Sequence, residues 1–275
     1  MKILSHGCTL DCFDCCKFNV YVKDNKVLKI EGDKNHPYTK GFICIKGKKH
    51  LERLNHKDRI YNPLKKVNDK WKEISFDEAL NIISERLIYY REKYTSKSVF
   101  HYCESGSGGI LKGIEDIFFN FYGGITKSKG STCWGAGIKA QKYDFGDVKG
   151  HSLEDMFNSK NIIIWGRNPY NTSIHLMNII KKVKSKGIKI IVIDPLYTDT
   201  AKNADLYIRV NPSSDGALAM AVTKIIIEEN LIDKEFINKY VKGFDEYKNY
   251  LDTLSIDYLS KECGVDIKQI SLQIR

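Results

Sequence analysis

This 275-residue sequence predicts an α/β fold, and three observations carry the prediction. Residues 160–173, 188–200 and 204–227 each open on a short apolar run of strand length and then turn, in the first and third cases into a helix. Strands that alternate with helices form a parallel sheet of doubly wound type. Upstream, a hairpin pattern at 18–33 follows a cysteine-rich stretch and marks a small β-rich segment of different character. The predicted organisation is a β-rich domain over 1–60, the first part of a split α/β domain over 61–130, and a Rossmann-like domain over 131–275.

Composition narrows the class. A hydrophobic content of 42% supports a buried core rather than disorder. No apolar run approaches the length of a membrane span. The opening MKILSHGCTLDC has neither the apolar stretch of a signal peptide nor a twin-arginine pair, so a cytoplasmic location is expected. Cysteines stay reduced there, and clustered ones more often bind metal than form disulfides. The net charge of +10 suits a polyanionic partner. The lysines are scattered, with no basic run longer than KGKK at 46–49, which reads instead as a solvated surface.

Four of the eight cysteines fall in CTLDCFDCC at 8–16, and Cys44 follows alone. Cys8, Cys12 and Cys16 read C-x3-C-x3-C. Zinc sites usually use two C-x2-C pairs, and no second pair is present. The C-x-x-C-H of a c-type haem is absent. Three close thiolates and one distant one suit a [4Fe–4S] cube, wrapped by a loop and closed by a later segment. Zinc and purely structural thiols are the competing readings. Cys15 is left over, because adjacent side chains diverge. FNVYVKDNKVLKIEGD at 18–33 forms two strands around a tight Asp24-Asn25-Lys26 turn. That hairpin returns GFICIKG at 41–47 beside the first loop, as a distant fourth ligand requires.

The cysteine spacing, the hairpin, EGDKNHPYTKGFICIKG at 31–47 and the Arg59/Pro63 segment together resemble the N-terminus of the molybdopterin-dependent oxidoreductases. This is the bis-molybdopterin guanine dinucleotide family of formate dehydrogenases, nitrate, polysulfide and DMSO reductases. The resemblance implies that Cys8, Cys12, Cys16 and Cys44 ligate the cluster. It also places Lys46 between cluster and pterin, where a cation stabilises added negative charge. Taken alone, Lys46 reads as a surface lysine.

Further along, SFDEALNIISERLIYYREKY at 75–94 is a helix with a Ser75/Glu78 capping box and an apolar face of Ala79, Leu80, Ile83, Leu87 and Ile88. KSVFHYC at 97–103 reads as a strand. Residues 104–124 form a Gly-rich turn, in which Gly106, Gly108 and Gly109 could admit a cofactor, and then an amphipathic helix. YDFGD at 143–147 matches the Asp-Phe-Gly of protein kinases, but no His-Arg-Asp precedes it, and it reads as a helix end and loop. Cys103 and Cys263 read as structural.

Ligands of doubly wound sheets bind beyond the carboxyl ends of the strands. The loops there carry Gly166, Asn168, Thr172, Asp194, Asp215 and Gly216. Asp carboxylates can accept hydrogen bonds from a guanine edge or a ribose, and Asn, Thr and a helix N-terminus can hold pyrophosphate. The plainer reading is helix capping. WGRNPYNTSIH at 165–175, IDPLYTDTAKNAD at 193–205 and NPSSDGALA at 211–219 resemble the family's guanylate-binding loops, with two departures. Leu196 stands where the family usually has Arg, and Ser213 where its Pro-Gly-Thr-Asp has Gly. His175 either faces the cofactor or begins a helix.

Cys133 lies in KGSTCWGAGIKA at 129–140, with Gly130, Gly135 and Gly137 leaving its surroundings open. Alone it reads as a small buried hydrophobe. In the family, the residue at this place binds molybdenum or tungsten, and a soft thiolate completes a shell of dithiolene sulfurs. Trp134 follows where formate dehydrogenases carry His, which counts against formate.

The resemblance therefore implies a two-electron oxidoreductase with a [4Fe–4S] cluster and bis-molybdopterin guanine dinucleotide holding Mo or W, in which Cys133 and Lys46 are catalytic. Its expected partners are a small oxyanion, sulfur or nitrogen compound as substrate and a redox protein, ferredoxin-like or an iron–sulfur subunit. A non-catalytic cluster carrier, like the large subunit of NADH dehydrogenase, is the alternative; Cys133 and the three loops argue against it. A basic nucleic-acid-binding protein with a zinc knot is disfavoured by the scattered charge. Family members continue well beyond SLQIR, so an architecture incomplete at the C-terminus is expected. Such a chain would be a shortened product, an excised piece, or one part of a split enzyme whose C-terminal half is a separate chain. Alone it would bind iron but not stably two pterins.

Overall fold

A three-stranded antiparallel meander opens the chain: β1 (Lys2–Gly7), β2 (Lys17–Lys23) and β3 (Lys26–Gly32). Leu4 lies opposite Val20, and Val20 opposite Ile30. Asp24 and Asn25 both take left-handed backbone, with φ of 49° and 58°, the turn whose twist matches the strands. β1 is a strand the sequence did not announce. It is exposed along its length, so backbone pairing to β2, and not side-chain alternation, defines it. The computed structural model describes residues 1–10, 12–104, 106 and 110–274. These divide into two units, Met1–Gly150 and His151–Arg275. Gly108 and Gly109 lie outside the described residues.

The first unit continues with α1 (Ile45–Lys48), α2 (His50–Leu54) and the hairpin β4 (Leu64–Val67) with β5 (Lys70–Glu73). There follow α3 (Phe76–Tyr94), β6 (Phe100–His101), α4 (Ile114–Tyr122), β7 (Thr126–Lys127) and α5 (Gly135–Phe145). The expected cap of α3 is present, with the Glu78 N–H donating to Ser75 Oγ at 3.1 Å. Its expected apolar face is not a core face here: Leu80 is 59% exposed, and Ile83 and Ile88 are exposed too. α4 behaves alike, with Phe121 87% exposed. Tyr122 is buried, and its hydroxyl donates to the Leu87 carbonyl at 2.6 Å, tying α4 to α3.

The second unit runs β8 (Asn161–Trp165), α6 (Pro169–Thr172), α7 (Ile174–Lys184), β9 (Lys189–Ile193), α8 (Asp199–Lys202), β10 (Leu206–Ile208) and α9 (Asp215–Glu228). It closes with α10 (Lys234–Tyr240), α11 (Phe244–Asp252), α12 (Ile256–Cys263) and α13 (Ile267–Ile274). The strands are parallel in the order β10-β9-β8. Successive side chains of β9 point to opposite faces. Ile190 and Val192 join Leu176, Ile180 and Val183 of α7 in one core. Ile193 joins Ile208, Leu218, Leu259 and Cys263 in the other. Helices therefore cover both faces, the arrangement of a doubly wound α/β sheet. Asp205 pins the crossover: it accepts from the Ile190 N–H at 2.8 Å and pairs with Lys184 at 2.9 Å. Among the described residues no helix is long and apolar enough to cross a membrane.

Candidate functional site

The cysteine loop between β1 and β2 is closed by a hydrogen bond from the Cys8 N–H to the Cys16 carbonyl at 2.8 Å. Cys15 takes left-handed backbone, with φ of 47°, and is exposed, while Cys16 is buried at 4% exposure. That reversal aims two adjacent thiols in different directions. Cys16 packs with Phe18 and Ile43, and Cys8 lies against the same cluster.

The segment bearing Cys44 is drawn to this loop by its own turns. The Asp33 N–H donates to the Lys17 carbonyl at 2.9 Å, and the Asp33 carboxylate takes the Asn35 N–H at 2.9 Å and the Lys17 ammonium at 2.7 Å. The Thr39 N–H donates to His36 Nδ1 at 3.0 Å. A side chain at Gly32 would lie 2.2 Å from the Gly41 carbonyl oxygen, so only glycine permits the approach that returns residues 41–47. Cys44 then caps the start of α1, and Lys46 lies exposed on that helix.

The thiols feel one another. Burial pushes Cys16 up to about 12, and the charges of Cys8, Asp14, Cys12 and Cys44 add to the effect. Burial also raises Cys12, with Asp14, Cys8 and Cys44 contributing. Asp14 is itself buried, with Oδ2 3.8 Å from Cys12 Sγ and Oδ1 3.5 Å from the Tyr38 hydroxyl. His50 Nε2 lies 3.7 Å from Cys8 Sγ, and burial, with the Arg53 charge, holds this imidazole below its ordinary value. Among the described residues no three or more His, Cys, Asp or Glu side chains could hold a single metal ion. A zinc ion needs sulfurs about 2.3 Å from one centre. Three thiols on one closed loop and a fourth on the segment returned beside it are soft sulfur donors of the kind that hold an iron–sulfur cluster. Binding such a body would require these thiols to lose their protons, which couples cluster binding to pH.

Cys133 is exposed rather than buried, against its plain reading as a small hydrophobe. Its N–H donates to Ser131 Oγ at 3.0 Å, and the Ser131 hydroxyl donates to Glu104 at 3.0 Å, so a short turn presents the thiol just before α5. The glycines around it do not all leave space. A side chain at Gly137 would meet Trp134 Nε1 at 2.5 Å, so that glycine accommodates the indole. At Gly135 the nearest neighbour is Ser131, and Gly130 is open.

In the second unit the three strand-end loops are tied together. Gly166, with φ of 59°, donates its N–H to the Ile193 carbonyl at 2.9 Å. The Thr200 hydroxyl donates to Asn168 Oδ1 at 2.6 Å and accepts from the Tyr170 N–H at 3.1 Å, joining the loops after β8 and β9. Trp165 Nε1 donates to Asp215 at 2.6 Å, joining the end of β8 to the start of α9. Asp194 is buried, and its carboxylate accepts the Leu196 N–H at 2.8 Å. Thr172 donates to the Asn168 carbonyl at 2.9 Å. His175 is buried in the first turn of α7. Sequence reasoning missed Thr200 and Trp165. Thr200 sits in a polar string, and Trp165 ends an apolar strand, so neither announces a tie between loops. The arrangement offers backbone and carboxylate groups on one rim, chemistry suited to a nucleotide.

Comparison with known proteins accords with this geometry. Residues 5–56 match the molybdopterin oxidoreductase Fe4S4 domain, and residues 59–271 match the molybdopterin oxidoreductase family. The probable oxidoreductase YyaE of Bacillus subtilis (strain 168) is 43% identical over 256 residues, covering 93% of this chain and 38% of that protein. The F420-dependent formate dehydrogenase subunit alpha of Methanocaldococcus jannaschii is 33% identical, covering 91% of this chain and 37% of that protein. The acetylene hydratase structure from Pelobacter acetylenicus superposes with a TM-score of 0.72 at 27% identity, over 96% of this chain and 37% of that one. The chain thus spans well under half the length of these relatives. It belongs to the molybdopterin oxidoreductase family, with that family's Fe4S4 domain at its start, and its cofactors are a [4Fe–4S] cluster and a molybdopterin carrying Mo or W.

Proposed function

We propose that this chain is the cluster-bearing, cofactor-cradling part of a bis-molybdopterin guanine dinucleotide oxidoreductase. When bound, the cluster relays single electrons and the molybdenum or tungsten supplies two-electron exchange with substrate. In this reading Cys8, Cys12, Cys16 and Cys44 hold the cluster. Lys46, exposed beside Cys44, supplies a positive field where electrons arrive. Cys133 is the metal ligand, presented by Ser131 and Glu104. Gly166, Asn168, Thr172, His175, Asp194 and Asp215 bind the guanylates. Thr200 and Trp165 hold Asn168 and Asp215 in place. In this reading the cluster domain spans 1–60, the first part of a split α/β domain 61–130, and the pterin-guanylate-binding domain 131–275.

The observation that carries the proposal is the loop closed from Cys8 to Cys16, with Cys16 and Cys8 packed against Phe18 and Ile43 while their neighbour Cys15 is turned out. The substrate class is a sulfur or nitrogen compound, including oxyanions. Trp134 in place of a proton-handling histidine disfavours formate, although some relatives are named formate dehydrogenases. Several relatives are named as subunits or chains, which supports a ferredoxin-like or iron–sulfur redox partner. Eight free cysteines, three of them exposed, suit a reducing, oxygen-poor cytoplasm. The test is elemental analysis of protein purified without oxygen from its native cell. About four irons per chain are the expected result, with Mo or W where the chain is isolated within its native assembly, and loss of the Mo or W alone in Cys133→Ala. A colourless, iron-poor preparation would overturn the proposal.

A further inference from the structure

The Cys8 sulfur has a built neighbour. His50 opens α2, and its ring meets Phe18 edge-on, with centroids 5.6 Å apart and planes at 61°. Phe18 is buried with Cys16 and Ile43, so the imidazole is oriented by packing rather than swinging in solvent. Its Nε2 then lies 3.7 Å from Cys8 Sγ, within hydrogen-bonding range for sulfur. A second thiol of the same loop, Cys12, has a neighbour of opposite character. The buried Asp14 carboxylate is 3.8 Å from Cys12 Sγ, and its charge bears on Cys16 as well.

Reduction of a [4Fe–4S] cluster adds one electron, and the extra negative charge spreads onto the thiolate sulfurs. An N–H donor to such a sulfur stabilises the reduced form more than the oxidised form and raises the potential. A nearby carboxylate does the reverse. We propose that His50 is a positioning residue that donates Nε2–H to the Cys8 thiolate and raises the cluster's reduction potential, with Asp14 opposing it from the Cys12 side. No bond of the chain breaks in the step, and His50 keeps its proton. The inference rests on Cys8 being a cluster ligand.

The experiment is a dithionite titration of the anaerobically purified full chain, followed by the electron paramagnetic resonance of the reduced cluster. His50→Phe shifts the midpoint to more negative potential, His50→Gln recovers much of that shift by restoring an N–H donor, and Asp14→Asn shifts it to more positive potential. A purely structural role would not yield shifts of opposite sign with the cluster intact. Unchanged midpoints in His50→Phe and Asp14→Asn would sink the inference while leaving the cluster reading standing. A wild-type chain with no cluster signal would sink the cluster reading itself. Should His50→Phe fail to assemble, pulsed resonance on reduced wild-type protein labelled with 15N-histidine decides the matter. Hyperfine coupling to a histidine nitrogen supports the hydrogen bond, and its absence overturns it.

Discussion

Residues 151–275 and residues 1–150 treat their apolar side chains in opposite ways. The second unit closes on itself: alternate residues of β9 feed two cores, and α7 and α9 seal the two faces. The first unit buries a small cluster around Cys16, Phe18 and Ile43 and leaves the apolar faces of α3 and α4 exposed. One unit is held by transfer of apolar surface from water. The other gains little from that term near its thiols, where the buried apolar cluster is small and a bound cofactor would add the ties between loops. The first unit's N-terminal domain should therefore depend on its cofactor, and the second unit should not.

Removing a thiol tests that contrast most severely. Cys16→Ser should abolish iron retention and bring amide exchange over residues 5–56 close to that of an unfolded chain, with protection across β8, β9 and α9 unchanged. Equal loss in both units would break the comparison. Core truncation sharpens it from the other side. Leu218→Ala, at a fully buried position, should destabilise the second unit by about 2–5 kcal/mol in urea unfolding. Leu80→Ala on α3, 59% exposed, should change stability by no more than about 0.5 kcal/mol.

Smaller effects concern the rim. Thr200→Val leaves Asn168 Oδ1 and the Tyr170 N–H without their partner and should cost about 1–3 kcal/mol, with faster exchange at Tyr170. Asp205→Asn should cost about 1 kcal/mol at neutral pH. The Ile190 N–H and Lys184 hold the Asp205 carboxyl below its usual range. Its contribution is therefore present above the ordinary Asp value and is lost as pH falls through the folded one. The gap between wild type and Asp205→Asn should persist down to about pH 4 and close below it, as pH-dependent urea midpoints would show. Ser213 carries left-handed backbone, φ 66°, a conformation that favours glycine. Ser213→Gly should raise stability by up to about 1 kcal/mol in urea unfolding.

Much of this was legible from residue order. The hairpin at 18–33 was readable because two left-handed turn residues sit between alternating valines, and the cap of α3 because Ser75 and Glu78 are local partners. The parallel sheet was readable because three apolar runs alternate with helices. β1 was not, since an exposed edge strand is defined by its neighbour's hydrogen bonds. The bare face of α3 was not either: apolar spacing states that a face can be buried, not what lies against it. Gly137 was misread for a related reason, because the sequence does not show that Trp134 folds over it.

By itself the sequence determined which groups exist and how far apart along the chain they lie: three thiols four residues apart, a fourth beyond a hairpin, and three strands ending in Asp and Asn. Those follow from local backbone preference and side-chain period. Only the tertiary structure decided that Cys15 turns out while Cys16 turns in, that His50 and Asp14 flank the thiols, and that Thr200 and Trp165 bind the rim loops into one edge. Such contacts join residues far apart in the chain, and their geometry is set by packing against surfaces that no local pattern encodes.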